Sequence, residues 1–251
     1  MINIEGTPLS AFNISVDFYG EEVITPEVRT AFKDRGAYGS VNHGAIHGNK
    51  VFTIPCILQG ERQLIQPLLA LFLDDNGNYK REVKLQYRIF PGRYWLVTLA
   101  SPIRLMPERQ GVFRFDFELV ASYPFAIAEI SFDRYFESVN IDPTVGFEVP
   151  VDYNGTYHTG FTFSFFGTLS YLSVATISND GVRHGFNFNP EGSKSTYLVV
   201  DFEDMTVSDN GNNGLLDSTG RFLTINRNTK HIVFRGVASG SLSIKYQEKY
   251  V

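Results

Sequence analysis

Residues 196–214 read Thr-Tyr-Leu-Val-Val-Asp-Phe-Glu-Asp-Met-Thr-Val-Ser-Asp-Asn-Gly-Asn-Asn-Gly, and this stretch decides the fold class. It contains two short segments in which apolar and polar residues alternate, the periodicity of half-buried β-strands. Asn-Gly follows the second segment, and this dipeptide marks the tight turns of β-hairpins. The stretch therefore predicts consecutive strands joined by turns, with no catalytic motif between them.

The same pattern extends through the second half of the chain. Phe161, Phe163 and Phe165 fall on one face of a predicted strand, where we expect them to form core. Many short strands with turn residues between them predict a β-sandwich. The predicted strands are Gly146–Val151, Tyr157–Phe165, Tyr171–Ser178, Ser195–Phe202, Met205–Val207, Phe222–Ile225, Ile232–Gly236 and Ser241–Tyr246.

The first half adds one helix to further strands. Apolar residues recur at near-helical spacing over Glu61–Leu73, and Pro67 predicts either a kink or a helix that starts near Gln66. The predicted strands are 12–19, 51–58, Val83–Tyr87, Tyr94–Leu99 and Phe113–Ala121. We therefore expect a mainly β fold: an N-terminal β-rich domain with one α-helix over 1–130, then a β-sandwich over 131–251.

Residues 24–49 are rich in Gly and Asn and carry scattered charges. Such a segment buries little apolar surface by itself and is interpreted as a long surface loop. Loops of this length are uncommon in compact domains unless they have a function or are disordered.

Composition narrows the function classes. The chain has 251 residues, a formal net charge of −5 and no basic stripe, so we expect no nucleic-acid readout. Its single cysteine, Cys56, excludes an intrachain disulfide and suits a reducing cytoplasm. The N-terminus does not read as a signal peptide, and no apolar run is long enough for a membrane span.

No catalytic, cofactor or metal motif stands out from the sequence. Asp201 and Glu203 alternate on one strand, so they are candidates for the carboxylate pair of a glycosidase. The same stretch is explained more simply as a strand, a tight turn and a second strand. His43 and His47 are four residues apart, but glycines interrupt them and no acidic partner follows. We expect no enzyme, no cofactor and no metal site.

Four stretches together resemble the distal tail (Dit) proteins of long-tailed phages: Val51–Leu73, the segment Pro-Gly-Arg-Tyr-Trp-Leu-Val at 91–97, the strand from Phe113 that ends in Tyr-Pro-Phe, and Tyr197–Tyr250. The resemblance implies that the C-terminal sandwich is galectin-like. It implies a structural virion protein, made in the host cytoplasm and placed at the phage tail tip.

By resemblance, six copies form a hub ring that joins the tail tube to the baseplate. The implied partners are the other copies, the major tail-tube protein, the tail-associated baseplate hub protein, and a receptor-binding or baseplate protein docked on the C-terminal domain for host attachment. An extended arm over residues 24–49 would lie on the neighbouring subunit. The expected interface residues in this arm are Arg29, Phe32, Tyr38, Val41 and His43.

Two other classes stay open. A carbohydrate-binding, lectin-like module for host-surface glycans predicts an exposed aromatic platform on Tyr153, Tyr157 or Tyr171. A sugar-active enzyme predicts Asp201 and Glu203 as acid and base. The only tryptophan, Trp95, falls in the first domain, outside the sandwich where a galectin would place its stacking ring.

Overall fold

A computed structural model of the chain describes residues 2–17, 28–34, 40–79, 82–179, 181 and 183–250, with backbone alone for 28–34, 40–47 and 183–184. The chain divides into two compact units, one that ends at Ile127 and one that spans Ala128–Tyr250. The predicted mainly β fold is confirmed, and the described residues contain one α-helix. Separate domains over 1–130 and 131–251 stay a prediction.

The first unit is built on a pair of ten-residue antiparallel strands, β6 and β10. Phe52, Ile54 and Cys56 of β6 lie opposite Leu119, Phe117 and Phe115 of β10, and all six side chains are buried. The strands of this unit are β1 (Ile2–Ile4), β2 (Thr7–Pro8), β3 (Ile14–Val16), β4 (Val28–Asp34), β5 (Ser40–His47), β6 (Lys50–Gln59), β7 (Val83–Tyr87), β8 (Arg93–Leu99), β9 (Met106–Arg109) and β10 (Val112–Ala121).

The helix is shorter than the predicted Glu61–Leu73. A 3₁₀ turn covers Arg62–Ile65, and helix α1 covers Gln66–Ala70. The start at Gln66 agrees with the second alternative for Pro67, and the predicted kink is wrong. Proline is tolerated in a first helical turn because its missing N–H has no partner there in any case. Just beyond α1, the Phe72 ring packs edge-on against Phe117 at 5.4 Å between centroids.

Much of the segment interpreted as a surface loop is a β-hairpin. Strands β4 and β5 pair antiparallel in a two-stranded sheet of their own, with Val28 opposite His47 and Asp34 opposite Ser40. The loop interpretation is therefore wrong for these residues. It failed because glycine and polar residues conceal the alternation that identifies a strand.

The second unit consists almost entirely of β-strands. Its strands are β11 (Ala126–Ile141), β12 (Phe147–Pro150), β13 (Thr162–Ser178), β14 (Arg183–Phe188), β15 (Lys194–Asp201), β16 (Thr206–Asp209), β17 (Asn212–Asn213), β18 (Ser218–Gly220) and β19 (Thr229–Tyr250). The predicted strand Phe222–Ile225 is wrong, since Ser218–Gly220 pairs with β14 in its place. The Asn210-Gly211 turn joins β16 and β17 with positive φ at both residues, as the sequence predicts.

Strands β13 and β19 each merge two predicted strands, and together they fold back on themselves. Phe163 lies opposite Ile244 in the ladder, whereas Phe234 lies opposite Val174. The rings of Phe163 and Phe234 nevertheless contact each other at 5.4 Å between centroids. Ladder positions so far apart meet only if the strand pair bends into two facing layers, with the apolar side chains between them.

Glycines permit this bend. Gly167 of β13 lies opposite Gly240 of β19. A Cβ on Gly240 would lie 2.1 Å from the Phe166 carbonyl oxygen, and a Cβ on Gly167 would lie 2.2 Å from the Ser239 carbonyl oxygen. The two backbones approach more closely here than any side chain allows, which is a recognised use of glycine in a strand.

Candidate interaction surfaces

The predicted interface residues fall on the β4–β5 hairpin. Arg29 lies opposite Ile46, Phe32 opposite Asn42, and Val41 opposite Lys33. His43 lies in β5, and Tyr38 lies outside the described residues. Each strand of the hairpin makes no more than marginal contact with any other described element. The contact of these residues with a neighbouring subunit stays a prediction.

The acidic candidates Asp201 and Glu203 serve the turn that follows β15. Asp201 Oδ1 accepts the backbone N–H groups of Glu203 and Asp204, each at 2.9 Å. Its other carboxylate oxygen accepts the Thr162 hydroxyl at 2.9 Å. A carboxylate that accepts several short hydrogen bonds from its own turn has a structural explanation.

Glu203 holds this turn against the last strand. Its carboxylate accepts the Gly160 N–H at 2.7 Å and forms an ion pair with Lys249, whose side chain is only 8% exposed. Burial opposes ionisation of Glu203, but hydrogen bonds from Lys249 and Gly160 outweigh it, so the pKa of Glu203 is lowered. A lowered pKa is the opposite of what a general acid at neutral pH requires.

The aromatic platform predicted for a lectin-like module is not found on Tyr153. This ring is 6% exposed, and its hydroxyl accepts the Lys249 N–H at 3.0 Å and donates to the Tyr157 carbonyl. Tyr157 and Tyr171 are only partly exposed. Alternation along a strand identifies which residues share a face, but it does not decide which of the two faces is buried.

Two other rings of the second unit do face solvent, and they form a cross-strand pair. Phe166 of β13 is directly opposite Tyr197 of β15, with 6.5 Å between ring centroids. Phe166 is 62% exposed and Tyr197 is 50% exposed. Neither ring was identified from the sequence, because the predicted strand ended at Phe165 and the pairing of Phe166 with Tyr197 joins residues distant along the chain.

A cluster of polar side chains supports the strand that carries Tyr197. Asn210 Oδ1 accepts the Tyr197 N–H, and the Asn210 N–H donates to the Tyr197 carbonyl, each at 2.9 Å. Asp209 beside it pairs with Lys194 and accepts the Thr196 hydroxyl. Burial opposes ionisation of Asp209, yet these two partners lower its pKa. The backbone of Tyr197 is thus fixed on both of its hydrogen-bonding groups.

The single cysteine is not placed to act as a nucleophile. Cys56 is buried, and burial together with the charge of Asp116 raises the pKa of its thiol to about 12. Within the described part of the chain, no three His, Cys, Asp or Glu side chains are placed to hold a metal ion. Nor does any described helix have the length and apolarity to cross a membrane.

Comparison with known proteins gives a likeness in fold. No family model matches the sequence, and no curated protein matches it. The structure is similar to the crystal structure of the Dit protein of phage SPP1, described as a paradigm of the hub adsorption apparatus in phages that infect Gram-positive bacteria. The TM-score is 0.71 at 12% identity, and the match covers 100% of this chain and 98% of that one.

A fructofuranosidase from Schwanniomyces occidentalis also matches, at 7% identity over 88% of this chain and 65% of that one. Its TM-score of 0.30 is too low to carry an argument. The likeness to the SPP1 Dit protein shows that the fold is that of a phage tail-hub protein. More particularly, the chain has the Dit fold over its whole length, which confirms, for the fold, the resemblance predicted from the sequence.

Proposed function

We propose that this protein is a structural component of a phage tail tip, a Dit-type hub, and not an enzyme. The observation that carries the proposal is the likeness to the SPP1 Dit protein over essentially the full length of both chains. A match confined to one β-sandwich would be weak support, because sandwiches host many functions. Here the match covers 100% of this chain and 98% of that one.

In this role, six copies form a ring that joins the tail tube to the baseplate hub, and the second, galectin-like unit carries receptor-binding or baseplate proteins. A head-to-tail contact between two different patches closes into a ring when the rotation per subunit is right. The protein is then part of the virion.

The β4–β5 hairpin supports the head-to-tail contact. A two-stranded hairpin is only marginally stable in water without further packing. This hairpin has marginal contact with the other described elements of its own chain. A surface on the neighbouring copy would provide further packing, with Arg29, Phe32, Tyr38, Val41 and His43 as contact residues.

The two acidic candidates support a structural role in place of catalysis. Asp201 is occupied by its own turn, and Glu203 is paired with Lys249 and Gly160. A hydrolase that needed either carboxylate as an acid would require it to be protonated near neutral pH. The lowered pKa of Glu203 works against that.

The test is the native mass of the full chain by light scattering on a sizing column, followed by negative-stain imaging. We expect ring-shaped particles with about six times the 28.3 kDa chain mass. Phe32→Ser should shift the mass toward the monomer, whereas Tyr79→Ser, at a 67% exposed ring outside the hairpin, should not. A monomer at every concentration, unchanged by added tail-tube protein, would overturn the ring.

A further inference from the structure

We propose that the outer face of strands β15, β13 and β19 binds a neutral oligosaccharide, with Phe166 and Tyr197 as the stacking rings. A sugar ring has an apolar C–H face and a rim of hydroxyl groups. A site for it therefore combines exposed aromatic rings with hydrogen-bonding side chains. This outer face is defined as the solvent side of the three strands and is called the ring face below.

The pairing of the strands places the rings at the centre of the ring face. Phe166 has Tyr197 opposite it on β15 and Ser241 opposite it on β19. The next outward positions along the strands carry mainly hydroxyl groups, with Val199 as the exception. These hydroxyl residues are Ser164, Thr168, Ser195, Ser239 and Ser243.

This composition favours a sugar over a protein partner. A stable protein interface has a contiguous apolar centre and buries about 800 Å² on each partner. On the ring face the two rings are flanked by Ser and Thr, so the apolar surface ends soon after the rings. The charged outward positions nearest to the rings on these three strands are Asp201 and Lys245, which lie on either side of Thr162. A ligand that alternates apolar faces with hydroxyl groups fits this surface better than an apolar anchor does.

A surface cavity of about 260 Å³ lies next to the rings, farther along the same strands. Its lining combines the hydroxyl residues Thr168, Ser170, Ser193 and Ser239 with Asn140, Asp142 and apolar residues that include Val237. The volume is slightly below the ~300–1,000 Å³ of drug-sized ligand sites, which suits one sugar ring. Hydroxyl and amide groups can both donate to and accept from the hydroxyls of a sugar, and a carboxylate can accept from them.

A third exposed ring extends the ring face on its other side. Asp133 of β11 lies 3.9 Å from Lys245 Nζ, which places it beside the outward side of β19. Tyr135 is two residues farther along β11, so it shares the face of Asp133, and it is 62% exposed. Two strand spacings, about 10 Å, separate β11 from the strand of Phe166. An oligosaccharide, unlike a single sugar, is long enough to reach all three rings.

The site is also held rigidly. Both backbone groups of Tyr197 are bonded to Asn210, and Phe166 lies in the middle of a strand paired on both sides. Rings on rigid elements lose little conformational freedom when a ligand binds.

The test measures binding of the full-length protein to a panel of neutral oligosaccharides, such as maltohexaose, cellohexaose and laminarihexaose, by calorimetry and saturation-transfer NMR. We expect binding to at least one of them, weakened about tenfold or more in Phe166→Ala and in Tyr197→Ala. Leu216→Ser, at a 96% exposed apolar residue outside the ring face, is the matched control and should bind as the wild type does.

Circular dichroism spectra of all three variants should match the wild type, because the substituted side chains are largely exposed. Absence of binding to every oligosaccharide at millimolar concentration would overturn the proposal. Unchanged binding in both Phe166→Ala and Tyr197→Ala would overturn it as well. Binding of a tail protein that both ring variants abolish, without any oligosaccharide binding, would instead assign the ring face to protein docking. None of these binding measurements depends on whether six copies of the protein form the proposed hub.

Discussion

The carboxylate of Glu203 forms an ion pair with the ammonium group of Lys249, and 46 residues separate the two along the chain. The pair joins the turn after β15 to the C-terminal strand, and the Gly160 N–H completes it at 2.7 Å. A residue considered as a candidate catalytic acid is thus a connection between two strands. Several consequences of this and of the neighbouring packing can be measured.

Glu203→Gln should destabilise the second unit at neutral pH but not in acid. The folded state lowers the pKa of Glu203 from its ordinary 4.5, so its contribution is present above pH 4.5 and is lost as the pH falls through the lowered value. Hydrogen bonds to charged groups contribute about 1.5–3 kcal/mol, and partial exposure favours the lower end. Urea unfolding at pH 7 and at pH 3 measures the difference, with Glu191→Gln, at an exposed position, as the control. An equal loss at both pH values would contradict the ion-pair explanation.

Two adjacent phenylalanines should differ strongly in how much stability they lose on the same substitution. Phe165 is fully buried in the core of the second unit and Phe166 is 62% exposed. Phe165→Ala should cost about 3–5 kcal/mol of unfolding free energy, because it removes buried apolar contacts and leaves a cavity. Phe166→Ala should change stability by about 0.5 kcal/mol or less. Chemical denaturation of the two variants measures their losses of unfolding free energy. Equal losses, or a larger loss in Phe166→Ala, would indicate a different register for β13.

Gly240→Ala should destabilise the bend between β13 and β19. The new Cβ would lie 2.1 Å from the Phe166 carbonyl oxygen, so one of the two backbones must move. Such overpacking costs about 1–3 kcal/mol or more. Gly185→Ala in β14 is the matched control, since its Cβ meets nothing within 4 Å and its φ is not in the left-handed region. Thermal unfolding followed by circular dichroism should show a lower Tm for Gly240→Ala alone, and equal Tm values would argue against close backbone approach.

Cys56 should be unreactive in the folded protein. The thiolate is the reactive form, and a thiol whose pKa is raised to about 12 is almost wholly protonated at pH 8. Labelling with a disulfide reagent such as DTNB should therefore be slow in buffer and rapid in concentrated urea. Rapid labelling of the native protein would show that the pair β6–β10 opens locally.

Some of the fold follows directly from local sequence pattern. Alternation predicted β7 with the observed bounds, and it predicted the burial of Phe161, Phe163 and Phe165. The positive φ values at Asn210 and Gly211 follow from the Asn-Gly dipeptide. These features depend on neighbours within a few residues, so a single sequence contains the information for them.

The tertiary structure decided the features that depend on residues far apart along the chain. The contact of Phe163 with Phe234, the pairing of Glu203 with Lys249 and the exposure of Phe166 all depend on the bend of β13 and β19 and on their register. Side-chain period in a strand is two residues, so a pattern assigns residues to the same face without stating what covers that face. The β4–β5 hairpin was missed for a related reason, since its pairing outweighs the weak strand preference of Gly44 and Asn42. The sequence thus determined the β class and the core positions of this protein, whereas long-range pairing determined which aromatic rings face solvent.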